Sequence, residues 1–535
     1  MKQAEESTHG TLHGLWGAVR TIYPQSGALP VRAIKAGLWD LIVLILILGV
    51  AATFRLVNLN AFGYSGDEAV YAGQAAAIAQ HPVLKTLFPV FRAHPLLFQV
   101  ILALVFHDGL IDWYGRLAEV VIGLATVYLV WKLAKMLYGR WSGVLAALFM
   151  AVMPYHVIVT RQVLLDGPMV LCATLTIYLV ARFAMTEEPV WLHATGIGLG
   201  LTFLMKETGL VLIGAVYAFL ALAPQLRIRF RDLLLSVAFM LLVIAPYPLS
   251  LRFAAPSGIG QQYLVWQLFR RPNHAWDFYW GVVAPSLGYF TILAALAGFW
   301  LLRRERSWRE TLLVAWIVVP LIFFQLWPTK GFQYLLPIAA PVAILAARTA
   351  GRWSIESPAG SPGARRLPLI LNGAIAGLLT VSLILPSWRA VHPAASTSYL
   401  AGSGGIPGGR EAGTWILENT PQGVSMLTIG PSLANILQFY GHRTARGLSV
   451  SPNPLHRNPV YQPVINPDWE IRSNNIQYLI WDSYSAARSG FFSDRLLELA
   501  TQFHGRVVHT ESIMVPSEGG STVSTPVIVI YEVRP

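Results

Sequence analysis

The chain has one cysteine, Cys172, in 535 residues, and it lies inside an apolar run. An intrachain disulfide and a cysteine-based metal centre are therefore excluded, and the redox compartment leaves no trace. Charge is scarce too: 12% of the residues are Asp, Glu, Lys or Arg, against 55% hydrophobic. With a mean hydropathy of +0.53, that balance excludes a soluble globular protein. A formal charge of +12 would suggest nucleic acid in a soluble protein. Here it matches the Lys and Arg that membrane proteins keep in their cytoplasmic loops, and no nucleic-acid partner is expected. No internal repeat and no coiled-coil heptad pattern is present. The start, MKQAEESTHGTLHGLWGAVR, has no hydrophobic core near Met1 and no small-residue cleavage site. It reads as a cytoplasmic tail over residues 1–38 rather than a cleaved signal peptide.

What is abundant is long apolar runs, such as Leu41–Phe54 and Leu233–Leu249. With their flanks they cross the ~30 Å hydrocarbon core of a bilayer. The first span is expected near Asp40–Val57. Pro95–Phe106 is too short to cross and suits a re-entrant or interfacial helix. The segment Asn58–Arg116 then stays on one side, as a first outer loop, and the next span is Leu117–Leu137. Further spans are expected at 142–160, 165–183, 193–205, 208–224, 232–250, 280–302, 311–327, 332–350 and 367–386, for a total of about eleven. The turns on the inner side then hold Arg227, Arg229 and Arg231; Arg303, Arg304 and Arg306; and Arg348, Arg352, Arg365 and Arg366. Had Pro95–Phe106 crossed, these clusters would face outward, against the positive-inside pattern.

Composition changes after Pro386. Residues 387–535 carry Gly, Pro, Ser and Asn between short strand-like pieces, SMLTIG, QYLIWD and PVIVIYEV, and a helical LLELATQF. The predicted fold class is a polytopic α-helical membrane protein over 39–386 with a C-terminal soluble α/β domain over 387–535. An odd number of spans puts that domain on the outer face, beside the first outer loop.

Orientation leaves some charges unexplained. Asp67, Glu68, Lys85, Arg92, His94, Arg116, Arg161, Asp166, Lys206, Glu207, Arg270, Arg271 and Lys330 all fall at or near the outer face. A charge at a span end is expensive unless partnered or used. Convergence at one height would make a membrane-interface site for a phosphate. Bland readings stand beside this one. Ser65-Gly-Asp-Glu68 fits a capping box, which accounts for Glu68. Asp67 would then gain only ~0.3–1 kcal/mol from the helix dipole. Asp166 could N-cap the next span, with Pro168 in its first turn. Lys206 and Glu207 could neutralise each other, and Arg161 could anchor at the interface.

The order Gly66-Asp67-Glu68, His94-Pro95-Leu96, Arg116, RQVLLDGP (Arg161–Pro168), GLTFLMKETGL (Gly200–Leu210) and PTKGFQYLLPIAAP (Pro328–Pro341) resembles the GT-C superfamily of membrane glycosyltransferases. The nearest likeness is to protein O-mannosyltransferases and lipid A aminoarabinose transferases, and it covers Asp40–Pro341. The resemblance implies a polyprenyl-phosphate sugar donor in the bilayer and an acceptor hydroxyl on a protein, lipid or glycan. It implies inversion at the anomeric carbon and a plasma-membrane site facing outward. It also implies Asp67 as the base, with Glu68 and Asp166 in the catalytic group. Arg161 and Lys206, then Arg116 and Lys330, would hold the donor phosphate, Lys85 and Arg92 would guard donor entry, and His94 and Tyr334 would contact substrate. Arg binds phosphate as a fork and Lys as a point charge. His94-Pro-Leu departs from the usual His-Pro-Pro. A divalent ion could sit between Asp67 and Asp166, but no His/carboxylate cluster has ligand spacing, so no metal is expected. Competing classes are a transporter or lipid flippase, which calls for polar residues at mid-membrane depth and repeat symmetry, and a glycan-binding membrane protein, in which the acidic pair is dispensable.

Overall fold

A computed structural model describes residues 31–90, 94–107, 112–254, 259–301, 307–352, 366–392, 406–516 and 522–535. Most of the expected tail, together with Arg92, Arg303, Arg304, Arg306 and Arg365, lies outside the described residues. The chain forms two compact units, Met1–Ile47 and Leu48–Pro535. In the first, the described residues 31–47 are helical and belong to α1 (Val31–Leu56), which therefore starts ahead of Asp40.

The second unit continues through α2 (Gly66–Ile78), a four-residue α3 (Leu84–Leu87) and α4 (Leu97–Val105). Next come α5 (Asp112–Tyr138), α6 (Arg140–Val152), α7 (Pro154–Val159), α8 (Asp166–Thr186), α9 (Pro189–Met205) and α10 (Leu210–Leu222). Then follow α11 (Phe230–Ile244), α12 (Pro246–Ala254), α13 (Ile259–Leu268), α14 (Phe278–Leu287), α15 (Tyr289–Leu301), α16 (Trp308–Leu326), α17 (Ala339–Arg352) and α18 (Arg366–Val391).

Each of the expected spans coincides with helix, but not all are long enough to cross. Among the described residues seven helices have the length and apolarity of a span, or eight if the bent pair α14 and α15 counts as one. The helices α6, α9 and Glu207–Leu222 are apolar but shorter. At 1.5 Å per residue the 13 residues of α6 reach only ~20 Å, less than the bilayer core. Between α14 and α15 the axis turns by 86°, at Gly288, whose φ of +85° suits glycine best. The nine-residue α4 is too short to span and lies against α2. Small residues set the packing of the short α9. Gly196 and Gly200, one turn apart, meet Ser236, Met240 and Val243 of α11, while Gly198 meets Thr176 of α8.

The C-terminal part is an α/β domain from residue 406. It contains α19 (Gly409–Asn419), β1 (Ser425–Thr428), α20 (Pro431–Gly441), β2 (Thr444–Gly447), α21 (Pro467–Arg472), β3 (Tyr478–Asp482), α22 (Ser483–Arg488), α23 (Gly490–Gln502), β4 (Arg506–Pro516) and β5 (Thr522–Glu532). The sheet order is β2-β1-β3-β5-β4; β2, β1 and β3 run parallel, and β5 is antiparallel to both β3 and β4. Leu427, Ile471, Leu479, Leu496, Leu499 and Phe503 close its core. All three strand-like pieces of the sequence fall on strands, and LLELATQF falls on α23.

This domain packs against the helix that carries Asp67. Helix α20 lies along α2, and a Cβ on Gly66 would come within 3.0 Å of Ser432 Cα. Tyr64 packs on Phe439 with ring centroids 5.1 Å apart. Arg410 Nη2 and the Tyr440 hydroxyl each lie 2.8 Å from Asp112 Oδ2.

Candidate active site

Helix α2 starts as its sequence predicts. Glu68 N donates to Ser65 Oγ (3.3 Å) and Ser65 N to Glu68 Oε2 (2.9 Å), which completes the capping box. Glu68 does more than cap. It is fully buried and accepts from Arg116 Nε (2.8 Å), Arg116 Nη2 (2.9 Å) and the backbone N of Val163 (3.1 Å). Arg116 also donates to the carbonyls of Leu59, Phe62 and Gly63. The pair ties α2, α5 and the Arg161–Asp166 loop together. Both side chains spend their hydrogen-bonding capacity inside the protein.

A second buried pair joins α8 to the end of α9. Lys206 Nζ lies 2.8 and 2.7 Å from the two oxygens of Asp166 and 5.0 Å from the centre of the Tyr334 ring. Asp166 opens α8 but makes no capping hydrogen bond there. Lys206 and Glu207 act on each other electrostatically but form no direct ion pair. Lys206 is extended (φ −158°, ψ 134°), so neighbouring side chains diverge. Glu207 pairs instead with His94 Nδ1, at 3.0 Å.

Asp67 sits in the first turn of α2 with its side chain exposed, and among the described residues it has no hydrogen-bond or ion-pair partner. Surrounding protein still desolvates it and pushes its carboxyl up from the ordinary aspartate range, while the charges of Lys206, His94 and Arg270 pull it down. Asp67, His94, Asp166, Lys206, Glu207 and Tyr334 thus form one electrostatic group.

Three further residues, on α13 and just after it, adjoin this group. Arg270 Nη1 donates to Gln267 Oε1 (3.2 Å), Gln267 Nε2 to the Tyr263 hydroxyl (2.6 Å), and that hydroxyl lies 3.5 Å from both Glu207 Oε1 and His94 Nε2. Tyr263 and Gln267 stand one turn apart on α13, and Arg270, already among the charges that orientation leaves unexplained, follows two residues after its end.

Other candidates sit apart from this network. Arg161 Nη1 donates to the carbonyls of Phe54 (2.9 Å) and Val57 (2.7 Å) at the end of α1. Lys330 Nζ is 3.0 Å from the Gln325 carbonyl and 3.4 Å from that of Trp327, closing the C-terminal end of α16. It serves that helix end rather than the Asp67 group. Lys85 is exposed on α3. Among the described residues no three His, Cys, Asp or Glu side chains gather as metal ligands.

The fold defines a class: a polytopic helical membrane protein with the GT-C fold. A family described as dolichyl-phosphate-mannose-protein mannosyltransferase matches residues 93–249. In sequence the chain is similar to the undecaprenyl phosphate-alpha-4-amino-4-deoxy-L-arabinose arabinosyl transferase of Erwinia tasmaniensis, 29% identical over 275 residues, 43% of this chain and 48% of that one. The corresponding protein of an Enterobacter strain is 26% identical over 50% of this chain and 56% of its own. The chain thus spans about half the length of these curated relatives. In structure it is similar to ArnT from Cupriavidus metallidurans, with a TM-score of 0.66, 15% identity, and 93% and 98% of the two chains covered. An Archaeoglobus fulgidus oligosaccharyltransferase shares the fold at a TM-score of 0.53 and 13% identity, covering 91% of this chain and 74% of that one.

Proposed function

We propose that the protein transfers a sugar from a polyprenyl-phosphate donor to an acceptor hydroxyl at the outer face of the plasma membrane, with Asp67 as general base. One observation carries this reading. Glu68, Asp166 and Glu207 are each paired, to Arg116, Lys206 and His94, whereas Asp67 has no such partner among the described residues. A carboxylate left unpaired within the electrostatic influence of Lys206, His94 and Arg270 is available for proton transfer.

In the reaction the acceptor oxygen attacks the anomeric carbon and gives its proton to Asp67. The bond from that carbon to the phosphate oxygen breaks on the opposite side, so the configuration inverts. The leaving phosphate carries the electron pair and needs fixed positive charge rather than a proton. Lys206, held by Asp166 and Tyr334, and Arg270, held by Gln267, supply that charge in this reading. His94 and Tyr334 line the substrate. Arg161 and Lys330 remain candidates for a more distant contact with the phosphate, and Lys85 and Arg92 for donor entry. A structure of ArnT from C. metallidurans bound to undecaprenyl phosphate supports the class of donor.

The test is turnover of labelled polyprenyl-phosphate hexose and pentose by the purified chain, with release followed to water or to an added acceptor. Asp67→Asn is expected to lower the rate ~10²–10⁴-fold without lowering thermal stability. Full activity in that variant, or no turnover of either donor by the unmodified protein, overturns the reading.

A further inference from the structure

A cavity of about 230 Å³ lies between the α3 segment and the C-terminal domain. One wall is Thr86, Leu87 and Pro89; the other is built from α20, β2 and the segment around Tyr461. Its volume exceeds what one water needs by an order of magnitude. Its position follows from the docking described above. Helix α20 places Ser432 against Gly66, the neighbour of Asp67, and presents Pro431, Asn435 and Gln438 to the cavity.

The lining has a definite chemistry. Asn435, Gln438 and Gln462 contribute three primary amides, each able to donate and accept. Asn435 is 3% exposed and spends one N–H on the Tyr461 hydroxyl at 3.1 Å. Its carbonyl oxygen has no hydrogen bond among the described residues, and the amides of Gln438 and Gln462 make none there either. Among the described residues the one cation on the wall, Arg446, faces both oxygens of Glu470 at 3.4 Å, so it offers little net charge to an anion. Leu87, Pro89 and the Tyr461 ring supply apolar faces. Paired donors and acceptors over apolar patches, with the charge neutralised, match the hydroxyls and C–H faces of a sugar ring. They do not match a phosphate.

We propose that this cavity binds one neutral sugar unit of the acceptor, so that the acceptor is a glycan or glycolipid held jointly by the C-terminal domain and the α3 segment. The role as acceptor site rests on the glycosyltransferase reading; the binding itself does not.

Binding is measured by saturation-transfer NMR on the purified full chain in a detergent without a sugar headgroup. The probes are maltose, mannobiose and diacetylchitobiose, against inorganic phosphate and a Ser/Thr-containing peptide. At least one disaccharide is expected to bind, and Asn435→Ala, Gln438→Ala and Gln462→Ala are expected to weaken it at least tenfold. Gln438 and Gln462 are not buried, so their variants report even if Asn435→Ala fails to fold. Donor hydrolysis to water stays unchanged in the Gln438 and Gln462 variants. Binding of the peptide or phosphate in place of the sugars overturns the proposal, as does sugar binding that the variants leave intact. Loss of donor hydrolysis in the unmodified protein sinks the proposed function instead, which keeps the two failures apart.

Discussion

Asp67 and Glu68 are adjacent acids on the same first turn, yet their surroundings give them opposite tasks. Glu68 is buried under Arg116 and two backbone N–H groups, while Asp67 is open and unpaired among the described residues. Glu68→Gln leaves the Arg116 guanidinium buried without its counter-charge. The expected cost is ~3 kcal/mol of stability, read as a lower unfolding temperature in detergent. On capping alone that substitution would be mild, since Gln can still cap; it is the ion pair that makes it severe. For Asp67 the pH dependence carries the signature. A base works only when deprotonated, and desolvation raises its carboxyl. The acid limb of kcat/KM therefore lies above the pH at which an ordinary carboxylate titrates. Lys206 opposes that rise, so Lys206→Met should move the limb to still higher pH as well as slow the reaction. A limb that stays in place in Lys206→Met would remove Asp67 as the titrating base.

Short helices bring these residues together. Lys206 ends α9, and its place depends on how closely α9 approaches α8 and α11. A Cβ on Gly196 would lie 2.0 Å from the Ser236 carbonyl oxygen, and on Gly198 2.7 Å from Thr176 Oγ1. Gly196→Leu should force α9 off α11, with an overpacking cost of ~1–3 kcal/mol in thermal unfolding, and should lower turnover by displacing Lys206. If stability falls but the rate holds, Lys206 is not positioned by this contact. Sequence reading located α9 by its apolarity, but the small residues on two of its faces gain meaning only once their neighbours are known.

For the whole molecule, the C-terminal domain is part of the frame around α2. Asp112 receives both Arg410 and Tyr440, and Tyr64 packs on Phe439. Asp112→Ala removes the acceptor of two hydrogen bonds, one of them charge-assisted, worth ~1–3 kcal/mol. Faster hydrogen exchange is expected in α2 and α20, measured by mass spectrometry, with the core of the sheet unchanged. Unaltered exchange in α2 would mean that the domain does not support that helix.

Local order was legible in the amino-acid sequence. Hydropathy marks the spans because water and hydrocarbon sort residues by type alone. The strand pieces after residue 406 announce themselves by β-branched composition, and the capping box is a contact across three residues. The pairing of the acids was not legible. Lys206 could have met Glu207 beside it, and only the packing of α8 against α9 gives it Asp166, 40 residues away. Glu68 meets Arg116 across 48 residues. That Glu68 is paired while Asp67 is left unpaired among the described residues follows from those distant contacts. Each charge depends on which partner the folded chain brings near, and residue type alone does not specify that.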